Sequence, residues 1–376
     1  MKSLAALLRT SGEPVPYEKT RPLDLVEIDL EKPGEGEVLV KVTAAGICHS
    51  DLSVVNGSRP RPTPLIAGHE GAGIVEAVGP GVKDLKAGDA VAIVFLPSCG
   101  ECAQCREGVP AFCSVGSAAN VKGELIRGGS RISYKGEKIH HYNGVSCYSQ
   151  YMVLDRRSLI HVPSDLPIEI AAIFGCAFLT GVGAVRNGAK VPAGASVGVW
   201  GLGGVGMAAL LGAVVAKASP IIAIDPVPMK RALALELGAD IAIDPSEDIR
   251  EHIKGGVEFA IEAVGKASAL KHAYESTARA GTTVTVGLPA PADQLSFSAV
   301  SLVTDVKTLK GSYLGSGDPR KDIPDFVQLW RDGKLPAEKL ITKTRPLTEV
   351  NEAMDELDDA QRVVRQIVQP HQRNQL

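Results

Sequence analysis

Cys99, Cys102, Cys105 and Cys113 crowd one short Gly- and Glu-containing stretch, while three further metal-binding side chains, Cys48, His69 and Cys176, lie scattered along the chain. Four thiolates fill a tetrahedral zinc shell and so build structure, whereas a Cys/His/Cys set leaves a fourth position for water or substrate. The two groups therefore predict two zinc ions of different purpose. A bacterial ferredoxin-type cluster does not fit the first group, because that run has three residues before its last cysteine and a proline after it. Here the last spacing is seven residues and Ser114 follows. These six cysteines are ligands of the kind expected in a reducing compartment, where disulfides are rare. The seventh, Cys147, has no partner in the pattern and reads as a small buried hydrophobe.

The local contexts support the scattered set. Gly46-Ile47-Cys48-His49-Ser50-Asp51 and Gly68-His69-Glu70-Gly71 place each ligand beside a carboxylate able to orient it. Taken on residues alone, positions so far apart are equally open to ordinary packing roles.

A nucleotide site is written more locally. Gly201-Leu202-Gly203-Gly204-Val205-Gly206 follows an apolar run ending at Trp200 and opens the helical run Met207–Lys217. Gly201 permits the tight turn, Gly203 lets backbone approach a pyrophosphate, and Gly206 allows close packing, with helix N–H donors facing the anion. Asp225, about 20 residues on, can accept from an adenosine ribose and repel a 2′-phosphate, which favours NAD over NADP. Lys230 stands where it either approaches the adenosine or is a solvated helix residue.

These sites need two kinds of scaffold. The first 150 or so residues read as short alternating strands, such as Glu37–Val42 and Gly73–Gly79, with Gly/Pro punctuation. From about residue 190, apolar runs at Ser196–Trp200, Ile221–Asp225, Ile241–Asp244, Val257–Ala263 and Thr282–Gly287 interleave with helical stretches at Lys230–Leu237 and Ala267–Ala280, which predicts a doubly wound parallel sheet. Helices at Asp322–Asp332 and Leu347–Leu357 and a strand at Val363–Val368 follow, and Pro370–Leu376 is expected to fray.

At 376 residues the chain exceeds one ordinary core, and 45% hydrophobic with 22% charged residues suits a soluble globular protein. A net charge of −3 with interspersed signs offers no basic stripe, so nucleic acid is not a partner. The uncharged segment between Lys190 and Lys217 contains seven glycines and reads as strand, turn and buried helix, not as a membrane span. The N-terminal apolar run is too short for a secretory signal, so a cytoplasmic location is expected.

Together these segments resemble, over essentially the whole chain, the zinc-dependent alcohol dehydrogenases of the medium-chain dehydrogenase/reductase family. The motifs around Cys48, His69, the four-cysteine loop, Gly175-Cys176 and Gly201–Gly206 occur in that family's order and approximate spacing. The resemblance implies an α/β protein with a GroES-like β-rich catalytic domain over 1–177, including the structural zinc loop 99–113. A Rossmann NAD-binding domain over 178–314 and a return segment over 315–376 complete it.

By the same resemblance Cys48, His69 and Cys176 hold a catalytic zinc, Asp51 and Glu70 stand behind them, and Ser50 takes the alcohol proton. His49, Thr180, Gly201, Gly203, Gly204, Val205, Gly206, Asp225, Lys230, Leu288 and Arg365 fall at cofactor positions, His49 and Arg365 at the pyrophosphate. Arg59, Phe95, Ala118, Tyr142 and Asn143 fall around the substrate channel. Ser53 occupies a place where many relatives carry a histidine, which leaves the last base of the proton relay open.

The implied activity is reversible, NAD-dependent oxidation of primary alcohols, aliphatic or aromatic, to aldehydes by hydride transfer from a zinc-bound alkoxide, with two zinc ions per chain. Glutathione-dependent formaldehyde dehydrogenase is the alternative. It uses an acidic and a basic pocket residue near the places where Arg59 and Ala118 stand here, which speaks against it. A zinc- and NAD(H)-binding module without turnover is an alternative of another class. The long loop Ser114–His140 is a feature of dimeric relatives, so a homodimer is expected ahead of a homotetramer. Val300–Val303 and Thr308–Leu314 are the candidate edge strands for pairing across a two-fold axis.

Overall fold

The computed structural model describes residues 1–372; Arg373–Leu376, part of the tail expected to fray, lie outside the described residues. Two compact units emerge: Met1–Cys176 with Asp318–Gln328 and Ile341–Leu376, and Ala177–Gly317 with Leu329–Leu340.

The first unit is built from β-structure. Lys2–Leu8, Leu23–Leu30, Ile132–Tyr134, Glu137–His141 and Leu65–Ile66 close a barrel. A seven-stranded sheet runs Leu159–His161, Ala90–Ile93, Gly71–Val78, Glu37–Ile47, Arg365–Gln369 and Ile341–Pro346, with Tyr151–Asp155 also paired to Glu37–Ile47. Its central strand is apolar at nearly every second residue, and Val38, Val40, Val42, Ala44 and Ala45 are wholly buried. Register decides what this sheet presents at one end. Ala45 lies opposite Gly71, Gly71 opposite Ile93, and Ile47 opposite Gln366. Cys48, His69 and Glu70, just beyond those strand ends, and Arg365, the first residue of its strand, are thereby delivered to one place.

The second unit is a six-stranded parallel sheet ordered Ile241–Ile243, Ile221–Ile224, Val197–Trp200, Val257–Glu262, Thr277–Thr285 and Thr308–Gly311. Because helices cover both faces, the strands read as continuous apolar runs. Trp200, Ile222, Ile224, Ile243, Ile249, Val257, Ala260 and Ala273 form one buried cluster. The strand order reverses at Val197–Trp200, which pairs with Ile221–Ile224 on one side and Val257–Glu262 on the other, the switch point where such sheets bind ligands.

Three local expectations are corrected. The stretch Ser114–His140 is not a loop: Ser114–Lys122 is helical, and Ile132–Tyr134 pairs with Glu137–His141. Lys135 and Gly136, both at positive φ, make the tight turn between those strands. Val300–Val303, expected as an edge strand, belongs to the helix Val300–Thr304, whose turn is closed by Ser301 and Leu302 N–H groups donating to Ser298 and Ala299 carbonyls. The helix expected over Ala267–Ala280 stops at Glu275, because Thr277 already pairs with Val257. Among the described residues one helical stretch, Ile168–Ala189, is long and apolar enough to cross a membrane, but its window is 83% buried inside the protein.

Candidate active site and metal centres

The ligand atoms of Cys48, His69, Glu70 and Cys176 all lie within 4.8 Å of one another, and every one of these residues is buried. Cys48 is the N-cap of the helix His49–Val55, and its backbone N–H donates to Asp51 Oδ2 at 3.2 Å, so the helix start holds the thiol in place. His69 follows Gly68, whose φ of +90° brings the backbone against Tyr148. Cys176 sits within a π-helical turn, Phe174–Phe178, and a Cβ on the preceding Gly175 would collide with the Ile93 carbonyl. Only glycine allows that approach.

Behind the ligands lies an orienting shell. His69 Nδ1–H donates to Asp51 Oδ1 at 2.9 Å, which fixes the tautomer and leaves Nε2 facing Cys176 Sγ at 3.2 Å. Burial pulls the His69 pKa down, but Asp51 and Cys48 outweigh it and hold it well above the usual imidazole range. Cys48 is held well below the usual thiol range, first by the hydrogen bond from Cys176, while Cys176 is pushed up by the same contact and by burial. The donor set fits zinc with three protein ligands and an open position.

Glu70 is committed elsewhere. Arg365 Nε donates to Glu70 Oε1 at 3.1 Å, its terminal NH₂ group donates to Oε2, and Nη1 donates to the Ile47 carbonyl at 3.0 Å. Arg365 is therefore a buried partner of Glu70, a role its place in the sequence did not show.

The neighbouring side chains differ in their standing. The rings of Phe95 and Tyr142 meet the His69 ring edge-on, centroids 5.2 and 5.7 Å away. Tyr142 also donates its hydroxyl to the Ser50 carbonyl at 3.0 Å. Among the described residues the Ser50 hydroxyl itself makes no protein hydrogen bond, and it is half-exposed. Ser53 donates to the His49 carbonyl at 2.8 Å, so it is engaged in its own helix. Asn143 is buried at positive φ next to Tyr142. Ala118 stands apart: it lines a groove of about 470 Å³ with Val115, Lys122 and Leu125, in which none of Phe95, Tyr142, Asn143 and Arg59 takes part.

The second cluster is complete in itself. Cys99, Cys102, Cys105 and Cys113 place their sulfurs within 4.8 Å of one another, with Cys99 and Cys105 4.0 Å apart and Cys102 and Cys113 3.9 Å apart. Backbone N–H groups of Cys99 and Gly116 donate to Cys113 Sγ, and those of Glu101 and Cys102 to Cys99 Sγ. Such donors favour thiolates, as a four-sulfur zinc requires.

In the second unit Gly201 turns at φ +85°, and a Cβ on Gly206 would collide with the Gly201 carbonyl. No atom lies within 4 Å of a Cβ placed on Gly203, so that face of the turn is open. Asp225 is buried and accepts from Leu202 N–H at 2.7 Å and Val227 N–H at 2.8 Å. Lys230 is buried beside it, its pKa lowered by burial. Thr180 is half-buried and Leu288 is 42% exposed.

Comparison with known proteins now bears on this arrangement. Residues 34–164 match the model of the alcohol dehydrogenase GroES-like domain, and residues 204–331 that of the zinc-binding dehydrogenases. A curated Synechocystis protein named S-(hydroxymethyl)glutathione dehydrogenase is 37% identical, covering 96% of this chain and 98% of that relative. An Escherichia coli protein of the same name is 38% identical over 94% of this chain and 96% of its own. The solved benzyl alcohol dehydrogenase of Acinetobacter calcoaceticus superposes with TM-score 0.90 at 34% identity, covering 98% and 99% of the two chains. An alcohol dehydrogenase zinc-binding domain protein from Burkholderia ambifaria reaches TM-score 0.91 at 36% identity over 99% and 100%.

Proposed function

The chain belongs to the zinc-dependent medium-chain alcohol dehydrogenases, oxidoreductases that act on CH–OH groups with zinc and NAD, and from that premise we propose that it interconverts a primary alcohol and its aldehyde. The observation that carries this reading is the buried Cys48–His69–Cys176 triangle with Asp51 behind the imidazole.

When bound, zinc supplies a Lewis acid for the substrate oxygen and NAD a hydride acceptor. Cys48, His69 and Cys176 hold the metal, and Asp51 keeps the His69 ring in the tautomer that can do so. Ser50, unengaged and half-exposed, takes the hydroxyl proton and hands it on. With Ser53 tied to its helix, solvent is the acceptor that ends the relay. Phe95 and Tyr142 shield the imidazole from water and strengthen its electrostatics. Gly201–Gly206 and Asp225 receive the dinucleotide, and Asp225 selects NAD.

Two finer substrates compete. The names of the curated relatives support the S-(hydroxymethyl)glutathione adduct, and they weigh more than the argument from Arg59 and Ala118 against it. Free aromatic or aliphatic alcohols are supported by likeness to the benzyl alcohol dehydrogenase. Initial rates of NAD and NADP reduction with both substrates, repeated on Cys48→Ser, test cofactor, substrate and metal role together. A folded protein holding two zinc ions and NADH but reducing no aldehyde would leave only a binding role.

A cytoplasmic homodimer completes the reading. All seven cysteines are unpaired, Thr308–Gly311 is the last strand of its sheet, and Val300, Val303 and Val306 expose apolar surface nearby. Light scattering on the purified protein gives the assembly state.

A further inference from the structure

Arg59 and Arg61 stand on the loop between the helix His49–Val55 and the strand Leu65–Ile66. Both are half-buried. Among the described residues neither guanidinium meets a hydrogen-bond or ion-pair partner; only the Arg59 backbone is engaged, its N–H donating to the Ser53 carbonyl at 2.9 Å. No acidic residue occurs between Asp51 and Glu70 in the sequence. Those two flanking carboxylates are buried and spoken for, Asp51 by Cys48 and His69, Glu70 by Arg365. Two half-exposed guanidiniums without a protein counter-ion keep their charge and their N–H donors available to an anion.

The loop is anchored to the metal site at both ends. Its start continues the helix that carries Cys48 and Ser50. Its exit strand pairs Leu65 with His140 and Ile66 with His141, immediately before Tyr142. Tyr142 in turn bonds Ser50 and packs on His69. Arg61 and Arg59 lie near enough to Tyr142 for both positive charges to act on its buried phenol.

We propose that Arg59 and Arg61 form an anion subsite at the entrance to the metal centre and select alcohols and aldehydes that carry a carboxylate remote from the reacting carbon. This rests on reading the centre as that of a dehydrogenase. Guanidinium forks match a carboxylate in geometry as well as charge, so the pair fixes which end of the substrate enters. Arg59 and Arg61 are specificity residues, acting on the substrate's far end and not on the reacting atoms.

The test compares 4-(hydroxymethyl)benzoate with benzyl alcohol on the zinc-loaded enzyme with NAD. The wild type is expected to favour the carboxylate by about tenfold or more in kcat/KM, as charge-assisted hydrogen bonds allow. Added NaCl should raise KM for the carboxylate alone. In Arg59→Met/Arg61→Met the carboxylate-to-neutral ratio should fall roughly 10- to 100-fold through KM, with Lys at both positions restoring part of it. S-(hydroxymethyl)glutathione, itself an anion, should lose in parallel. An unchanged ratio in the folded double variant, or a salt response shared by both alcohols, overturns the subsite while leaving the dehydrogenase intact. Should the double variant not fold, the wild-type salt response and the Lys variant decide. A wild type that oxidises none of the three substrates removes the dehydrogenase reading, and the subsite with it.

Discussion

Arg365 and Glu70, 295 positions apart, form a buried two-pronged ion pair that ties the returning C-terminal strand to the segment bearing His69. Arg365 is 4% and Glu70 0% exposed. The strand Arg365–Gln369 pairs with Glu37–Ile47, so the guanidinium also reaches the Ile47 carbonyl, one residue before Cys48. Burial pushes the Glu70 carboxyl up to about 7 against the pull of Arg365, whose own pKa is raised by that carboxylate despite burial.

Removing one partner should therefore be severe. Arg365→Met leaves Glu70 buried without a counter-charge and is expected to cost about 3–5 kcal/mol. Adding Glu70→Gln should recover much of that loss. Denaturant midpoints of the two variants check it; equal losses in both would show that the ion pair is not the cause.

Asp51→Asn should weaken zinc at the Cys48–His69–Cys176 centre by roughly 10- to 100-fold, because the amide no longer holds His69 Nδ1–H as a carboxylate does. The four-cysteine centre shares no residue with this network and should keep its ion. Chelator-driven release followed with a zinc dye is expected to split into a fast and a slow phase, against a single slow phase in the wild type.

His141 predicts acid sensitivity. Burial, then Arg131, lower its pKa to about 3, and among the described residues neither ring nitrogen has a hydrogen-bond partner. The unfolded chain takes up a proton near the ordinary value of about 6.5 while the folded protein refuses it until about 3. Stability is thus fully present above about 6.5 and falls by up to ~1.4 kcal/mol per pH unit on the way down. His141→Phe should flatten that limb. Unfolding at pH 5 and pH 7.5 in both proteins measures the difference, and identical slopes would rule this histidine out.

Asp225→Ser should raise the NADP-to-NAD ratio of kcat/KM by about tenfold or more, since the carboxylate that repels a 2′-phosphate is gone. It should also lower thermal stability, by roughly 1–3 kcal/mol, if the N–H groups of Leu202 and Val227 are left without an acceptor. Rates with both cofactors and a melting curve separate the two effects.

Short-range features were legible in the residues themselves. Four cysteines within fifteen positions bring their sulfurs together through local chain geometry, and Gly201–Gly206 forms its turn because glycine alone accepts those dihedrals and that closeness. Tertiary structure decided the rest. Cys48, His69 and Cys176 meet because strand register sets Ala45 against Gly71 and Gly71 against Ile93, a pairing no local spacing encodes. The same long-range pairing turned Arg365 toward Glu70 and seated Tyr142 over His69. It also ended the helix after Glu275 where Thr277 found a strand partner. Backbone preference acts over a few residues, whereas convergence of charges and ligands depends on which distant strands share a sheet.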